Sequence, residues 1–152
     1  MTQEHLYEVS VKWNMDRRGT MMSSELDESL DVATPPQFPK GIERVWSPEH
    51  LFTAAVNSCL MTTFLSIAEN SKLEFKSFES KAQGKLEMVD GKYIMSEVIL
   101  RPVVVISNPT DKEKAERLLH KSEANCLISN SVKSKITFEP TVNVEITEQV
   151  MA

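Results

Sequence analysis

Glycine is scarce in this chain, with four in 152 residues, and neither a GxxxxGK[ST] nor a GxGxxG pattern occurs. Loops that cradle phosphates with backbone amides need such glycines, so nucleotide-binding folds of those kinds are excluded. Cysteine is scarcer still, present only as Cys59 and Cys126. The two lie too far apart for a CxxC redox pair and are too few for a four-ligand structural zinc site, so no metal and no cofactor is expected. The three histidines, His5, His50 and His120, form no HExxH motif, and there is no GxSxG elbow. Positive charge is not in excess either: 17 Lys and Arg are scattered among 22 Asp and Glu, for a net charge of −5. Without a basic stripe to neutralise phosphates, nucleic acid is not an expected partner. No internal repeat and no low-complexity tract appears. With two cysteines, no charged-then-apolar leader and no lipidation motif, the expected location is the reducing cytoplasm, where any disulfide is transient.

What is present is an ordinary soluble composition, 41% apolar and 26% charged. The length fits one domain, residues 1–152, burying roughly 70% of the unfolded chain's surface. Its organising stretch is Ser47 to Asn70, SPEHLFTAAVNSCLMTTFLSIAEN, which reads as one long helix. Ser47 suits the cap, Pro48 the first helical position, and Glu49 places a carboxylate in the positive first turn. Leu51, Phe52, Val56, Leu60, Met61, Phe64, Leu65 and Ile67 leave no continuous polar face, the pattern of a helix enclosed on all sides. About 24 residues could also span a membrane. Asn57, Ser58, Thr62, Thr63 and Glu69 interrupt the run, so a buried core helix is expected and no membrane.

Before that helix, His5 to Trp13, Thr20 to Ser24 and Ser29 to Ala33 read as short strands, with a polar turn from Met15 to Gly19. Pro35, Pro36, Pro39 and Gly41 then impose an irregular connection from Thr34 to Val45. After the helix, Phe75 to Met88 and Lys92 to Ser107 read as long strands joined at Val89-Asp90-Gly91, an antiparallel ribbon in which Pro102 suggests an edge or a bulge. Thr110 to Glu113 matches a capping box, opening an amphipathic helix through Ala115, Leu118, Leu119 and Ser122 towards Cys126. Ile136, Phe138, Val142, Val144 and Ile146 alternate with polar residues as a final strand, apart from an offset at Pro140. Strands and helices are segregated, so the fold class is α+β rather than a parallel sheet.

The residues alone leave the cysteines ambiguous. A free Cys in an apolar helix is commonly a small core residue with a raised thiol pKa. Reactivity at Cys59 needs a group that favours the thiolate, and a guanidinium, always charged and rich in donors, suits that role. Arg17 and Arg18 read from composition as a solvated turn, and Met21, Met22, Met61, Met88 and Met95 as core filler.

The run SPEHLFTAAVNSC resembles the PEqLfaAa…C signature at the central helix of the OsmC/Ohr family. It is preceded by a short Arg-x-Gly turn, here Arg17-Arg18-Gly19, and followed by a Cys-x-x-Ser segment, here Cys126-Leu127-Ile128-Ser129. The resemblance covers nearly the whole chain. It implies an intertwined α+β homodimer, with a long buried central helix wrapped by antiparallel sheets, that reduces organic hydroperoxides with two cysteines. Position by position, Cys59 resembles the peroxidatic cysteine and Cys126 the resolving one. Arg17 resembles the arginine that stabilises the thiolate and the leaving oxygen, Arg18 takes that place if the turn is offset by one, and Glu49 resembles the carboxylate that holds it. The implied partners are an organic hydroperoxide and a dithiol reductant, of lipoyl type in the family. Leu127 stands where the family often has proline, and the loop before the helix lacks the family's glycine-rich character. Apolar neighbours of Cys59, namely Leu60, Met61 and Phe64, are expected to favour an organic peroxide.

Helix geometry adds a constraint of its own. Glu49 and Cys59 lie ten residues apart, roughly 15 Å along the axis and about 80° around it, so they cannot touch within one helix. Either Arg17 spans much of that gap, or Glu49 and Arg17 come from a partner chain. The second option also accounts for a helix with no wet face, and it implies a dimer with composite sites. Two other classes stay open: a non-catalytic binding module with an apolar ligand in the dimer cavity, and a hydrolase using Cys59 or Ser58, for which no histidine is placed as base.

Overall fold

The computed structural model describes residues 3–146. Contacts group the chain into two compact units that divide between Leu51 and Phe52.

The N-terminal unit is a three-stranded antiparallel sheet of β1 (Ser10–Met15), β2 (Arg18–Met22) and β3 (Leu30–Ala33), in the order β1-β2-β3. The first strand lies later, and the second earlier, than composition suggests, because the turn contracts to Asp16-Arg17. Asp16 takes a left-handed φ of 48°, which an Asp tolerates, and its carbonyl accepts the Trp13 indole N–H at 2.9 Å. Gly19 is needed for close approach, since a Cβ there would stand 2.6 Å from the Lys12 carbonyl oxygen. Every residue of β1 is exposed, so Val11 and Trp13 line one apolar face in water, and the register shift after Trp13 takes the exposed Met15 out of that alternation. The proline-rich connection closes on itself through Ile42 N–H to Thr34 O (2.9 Å) and Ala33 N–H to Trp46 O (2.8 Å). It ends at Ser47, fully buried, whose Oγ accepts the His50 N–H at 3.1 Å and so caps the long helix as expected.

That helix, α1 (Pro48–Asn70), leads into the C-terminal unit, where β4 (Ser77–Val89) and β5 (Lys92–Ile106) form a long antiparallel hairpin. Its turn is Asp90-Gly91, both at positive φ as a two-residue hairpin requires. The second helix, α2 (Lys112–Ala124), follows β5, and the chain ends its described course in β6 (Lys135–Phe138) and β7 (Thr141–Val144). Both short strands pair with β5 in parallel, so the sheet is mixed where an antiparallel one was expected. The single final strand of the sequence reading is broken at Glu139-Pro140, because the ladder passes from Leu100↔Phe138 to Val103↔Thr141 opposite Pro102. Pro102 is therefore neither at an edge nor at a bulge: the register shift of the β4–β5 ladder falls at Lys85/Leu86. The capping box at Thr110 to Glu113 does not form either. Asn108 Oδ1 accepts both the Thr110 N–H (3.0 Å) and its hydroxyl (2.7 Å), starting a 3-10 turn that precedes α2.

Val56, Leu60, Phe64 and Ala68, spaced by four, and Ala115, Leu118 and Leu119 of α2 pack on the face of β5 that carries Val98, Leu100, Val104 and Ile106. Phe64 is fully buried between Phe75 and Phe78, with ring centroids 5.3 and 5.2 Å away. Burying such a side chain contributes about 1.5–3 kcal/mol. By length and composition α1 could cross a membrane, yet this face is the core of the unit. Within one chain α1 is not enclosed on all sides: Ala55, Ser58, Met61, Thr62 and Leu65 remain exposed, an uncharged stripe.

Gly84 of β4 lies directly under α1. A Cβ there would collide with Thr53 Oγ1 and stand 2.7 Å from Met95 Cε. Gly84→Ala is expected to lower stability by about 1–3 kcal/mol in urea denaturation, and Thr53→Ala in the same chain to restore part of the loss.

Candidate active site

Both cysteines are buried and free in the C-terminal unit. Cys59 is fixed by α1, which is itself pinned to β4 two residues earlier. There, Asn57 Nδ2 donates to Ser80 O (2.9 Å) and Ser80 Oγ donates to Asn57 Oδ1 (2.6 Å). Cys126 opens a tight turn after α2, closed by Asn130 N–H to Cys126 O (3.0 Å) and Ser131 N–H to Ile128 O (2.9 Å). The turn rests on α1, where the Cys126 thiol faces Val56 O at 4.0 Å.

The two thiols influence each other's ionisation, and their surroundings push them in opposite directions. Burial drives the Cys59 thiol up. The Ile128 N–H, the Cys126 thiol, the Thr63 hydroxyl and the Leu127 N–H together outweigh it and hold Cys59 below its ordinary value. The Thr63 hydroxyl lies 3.8 Å from the sulfur, one helical turn on. Cys126 is held above its ordinary value, first by burial and also by the neighbouring Cys59 sulfur, against the Ser129 hydroxyl and N–H. Cys59 is thus the more readily ionised of the two thiols. A low-pKa sulfur next to a protonated second thiol can attack an electrophile and then be captured by its neighbour.

Arg17 and Glu49, the other two residues singled out in the sequence, lie in the N-terminal unit. They line one cleft of about 520 Å³ together with Trp13, Arg18 and Phe38. Arg18 is committed to Asp31 at 3.0 Å. Arg17 enters no ion pair among the described residues, which makes it the arginine available for chemistry. The structure thus groups the predicted residues as two pairs, Cys59 with Cys126 and Arg17 with Glu49. Leu60 and Phe64 are wholly buried in the core and cannot contact a substrate, contrary to expectation, whereas Met61 is exposed. Thr63 and the amides of Leu127 and Ile128 escaped the sequence reading, since a backbone N–H carries no side-chain signal. Among the described residues no group of three or more His, Cys, Asp or Glu is arranged to hold a metal.

The family of OsmC-like proteins matches residues 41–141. The uncharacterized protein YmaD of Bacillus subtilis is 23% identical over 151 residues, 96% of this chain and 98% of its own length. Among solved structures, an OsmC-like protein of unknown function from Vibrio cholerae is similar with a TM-score of 0.81 and 27% identity, covering 90% of this chain and 99% of that one. An organic hydroperoxide resistance protein from Elizabethkingia anophelis follows at 0.75 and 19%, with coverage of 95% and 100%. The organic hydroperoxide resistance protein OhrB of Bacillus subtilis stands at 0.67 and 20%, covering 91% and 98%. At such identities the last two share the fold.

The rate of iodoacetamide alkylation at Cys59 is expected to rise with pH through a midpoint below that of a free cysteine, about 8.5, and at Cys126 through a higher one. Leu127→Pro deletes one amide donor and is expected to move the Cys59 midpoint upward, as resolved by mass spectrometry of the labelled peptides.

Proposed function

The chain belongs to the family of OsmC-like proteins, and from that membership we propose that it is a thiol-dependent peroxidase that reduces organic hydroperoxides. The observation that carries this reading is the opposed pair of buried, free thiols, Cys59 held low and Cys126 held high.

The Cys59 thiolate attacks the terminal peroxide oxygen; the O–O bond breaks and the alkoxide leaves, to be protonated to the alcohol. The sulfur, oxidised by two electrons, becomes a sulfenic acid. Cys126, already in contact, then attacks it, forming the Cys59–Cys126 disulfide and releasing water, and an external dithiol of lipoyl type reduces the pair by exchange. Arg17, oriented by Glu49, stabilises the thiolate and the departing alkoxide with fixed donors. In this proposal Arg17 and Glu49 come from a second copy of the chain. The support is the amount of apolar surface a single chain leaves in water: Val11, Trp13 and Met15 on β1, and Met61 and Leu65 on α1. A reducing cytoplasm is the compartment in which this cycle turns over.

With reduced protein, cumene hydroperoxide and dihydrolipoamide, wild type is expected to consume peroxide and Cys59→Ser to show only the background rate. Cys126→Ser should form no intramolecular disulfide and, in excess peroxide, consume a second equivalent to accumulate Cys59 sulfinic acid by mass, and Arg17→Ala should lower kcat/KM about 100-fold. Equal consumption by wild type and Cys59→Ser would overturn the reading. Mixing Cys59→Ser chains with Arg17→Ala chains is expected to recover partial activity, and a stable, active monomer would exclude the composite site.

A further inference from the structure

Beside Cys59, on the C-terminal unit alone, lies an open cleft of about 460 Å³ lined by Thr62, Thr63, Ser66, Ile67, Lys121 and Asn125. Its character differs from the rest of the exposed face of α1. Three hydroxyls, one amide and one ammonium converge there, with a single apolar side chain and no acid. Thr63 belongs both to this cleft and to the sulfur, its hydroxyl standing 3.8 Å from Cys59 Sγ. Some of the donors are already committed. The Thr62 hydroxyl donates to Cys59 O (3.1 Å), and Asn125 Nδ2 gives one hydrogen to Lys121 O (2.8 Å). The Ser66 hydroxyl, the second Asn125 amide hydrogen and the three ammonium hydrogens remain. Lys121 enters no ion pair among the described residues.

A group that accepts several hydrogen bonds and carries negative charge completes such a lining. A carboxylate does both, and a charge-assisted bond to an ammonium is among the stronger kinds. We propose that the Thr62–Ser66–Lys121–Asn125 cleft receives the carboxylate of an acidic organic hydroperoxide whose peroxide group is delivered past Thr63 to Cys59. The proposal rests on the peroxidase reading and narrows it to a substrate class: compact hydroperoxides bearing an acid a few bonds from the reacting oxygen. Because Lys121 neither touches the peroxide nor the sulfur, it acts in selection between substrates.

The test compares 4-(2-hydroperoxypropan-2-yl)benzoate with its methyl ester, which carry the same reacting group. Wild type is expected to favour the acid in kcat/KM by about tenfold or more. Lys121→Gln should reduce the acid-to-ester ratio about tenfold, and Lys121→Arg should restore most of it. An acid-to-ester ratio near one in wild type, or one unchanged in Lys121→Gln, overturns the proposal while peroxide turnover upholds the peroxidase. Binding of the corresponding alcohol, 4-(2-hydroxypropan-2-yl)benzoate, to reduced protein is followed separately by NMR. Shifts at Ser66 and Lys121 that are lost in Lys121→Gln support the cleft even in a protein that turns over no peroxide, and their absence from wild type refutes it.

Discussion

The chemistry open to this protein depends on how the pKa of one sulfur is lowered away from bulk water. Burial alone would leave Cys59 as an inert core thiol. What reverses that is a ring of donors, supplied largely by a short turn whose first residue is the second cysteine. The segment that carries Cys126 is therefore the same one that lowers the pKa of Cys59. The turn can serve both purposes because its carbonyls are spent internally, on the amides of Asn130 and Ser131, which leaves the N–H groups of Leu127 and Ile128 directed at α1.

This arrangement gives meaning to a departure visible in the sequence. Leu127 stands where the sequence resemblance implies proline, and its side chain does little to explain the change, being largely exposed. The difference lies in the backbone. Leucine retains an N–H that proline lacks, and that N–H is one of the donors to Cys59.

Much of this architecture was legible beforehand, and the reasons differ by element. The helix from Pro48 could be placed to the residue because cap, proline and apolar run agree locally, and Asp90-Gly91 admits few alternatives to a hairpin. The core face of α2 was also correctly read, Ala115, Leu118, Leu119 and Ser122 all being buried. Pairing direction was not legible. Nothing in the alternation of Ile136 to Val144 distinguishes a parallel from an antiparallel neighbour, and only the α2 crossover returns the chain to run alongside β5. Asn108 displaced Thr110 as the cap because an Asx side chain two residues earlier reaches the same amide. At the site, the two cysteines and the early arginines stood out as residue types, whereas the amides facing Cys59 and the role of Thr63 emerged only from three-dimensional proximity.

The parallel return of β6 and β7 has a consequence for biogenesis. Phe138 and Val142, which help close the cluster around Phe64, come far along the chain, well after the helix they cover. A nascent polypeptide emerging from the ribosome can therefore cover the apolar side of α1 first with Phe75, Phe78 and the β5 face, while the last part of the cover arrives only with β6 and β7. Such a chain has reason to be escorted by chaperones, and its assembly should begin from the β4–β5 hairpin and wait on its last strands.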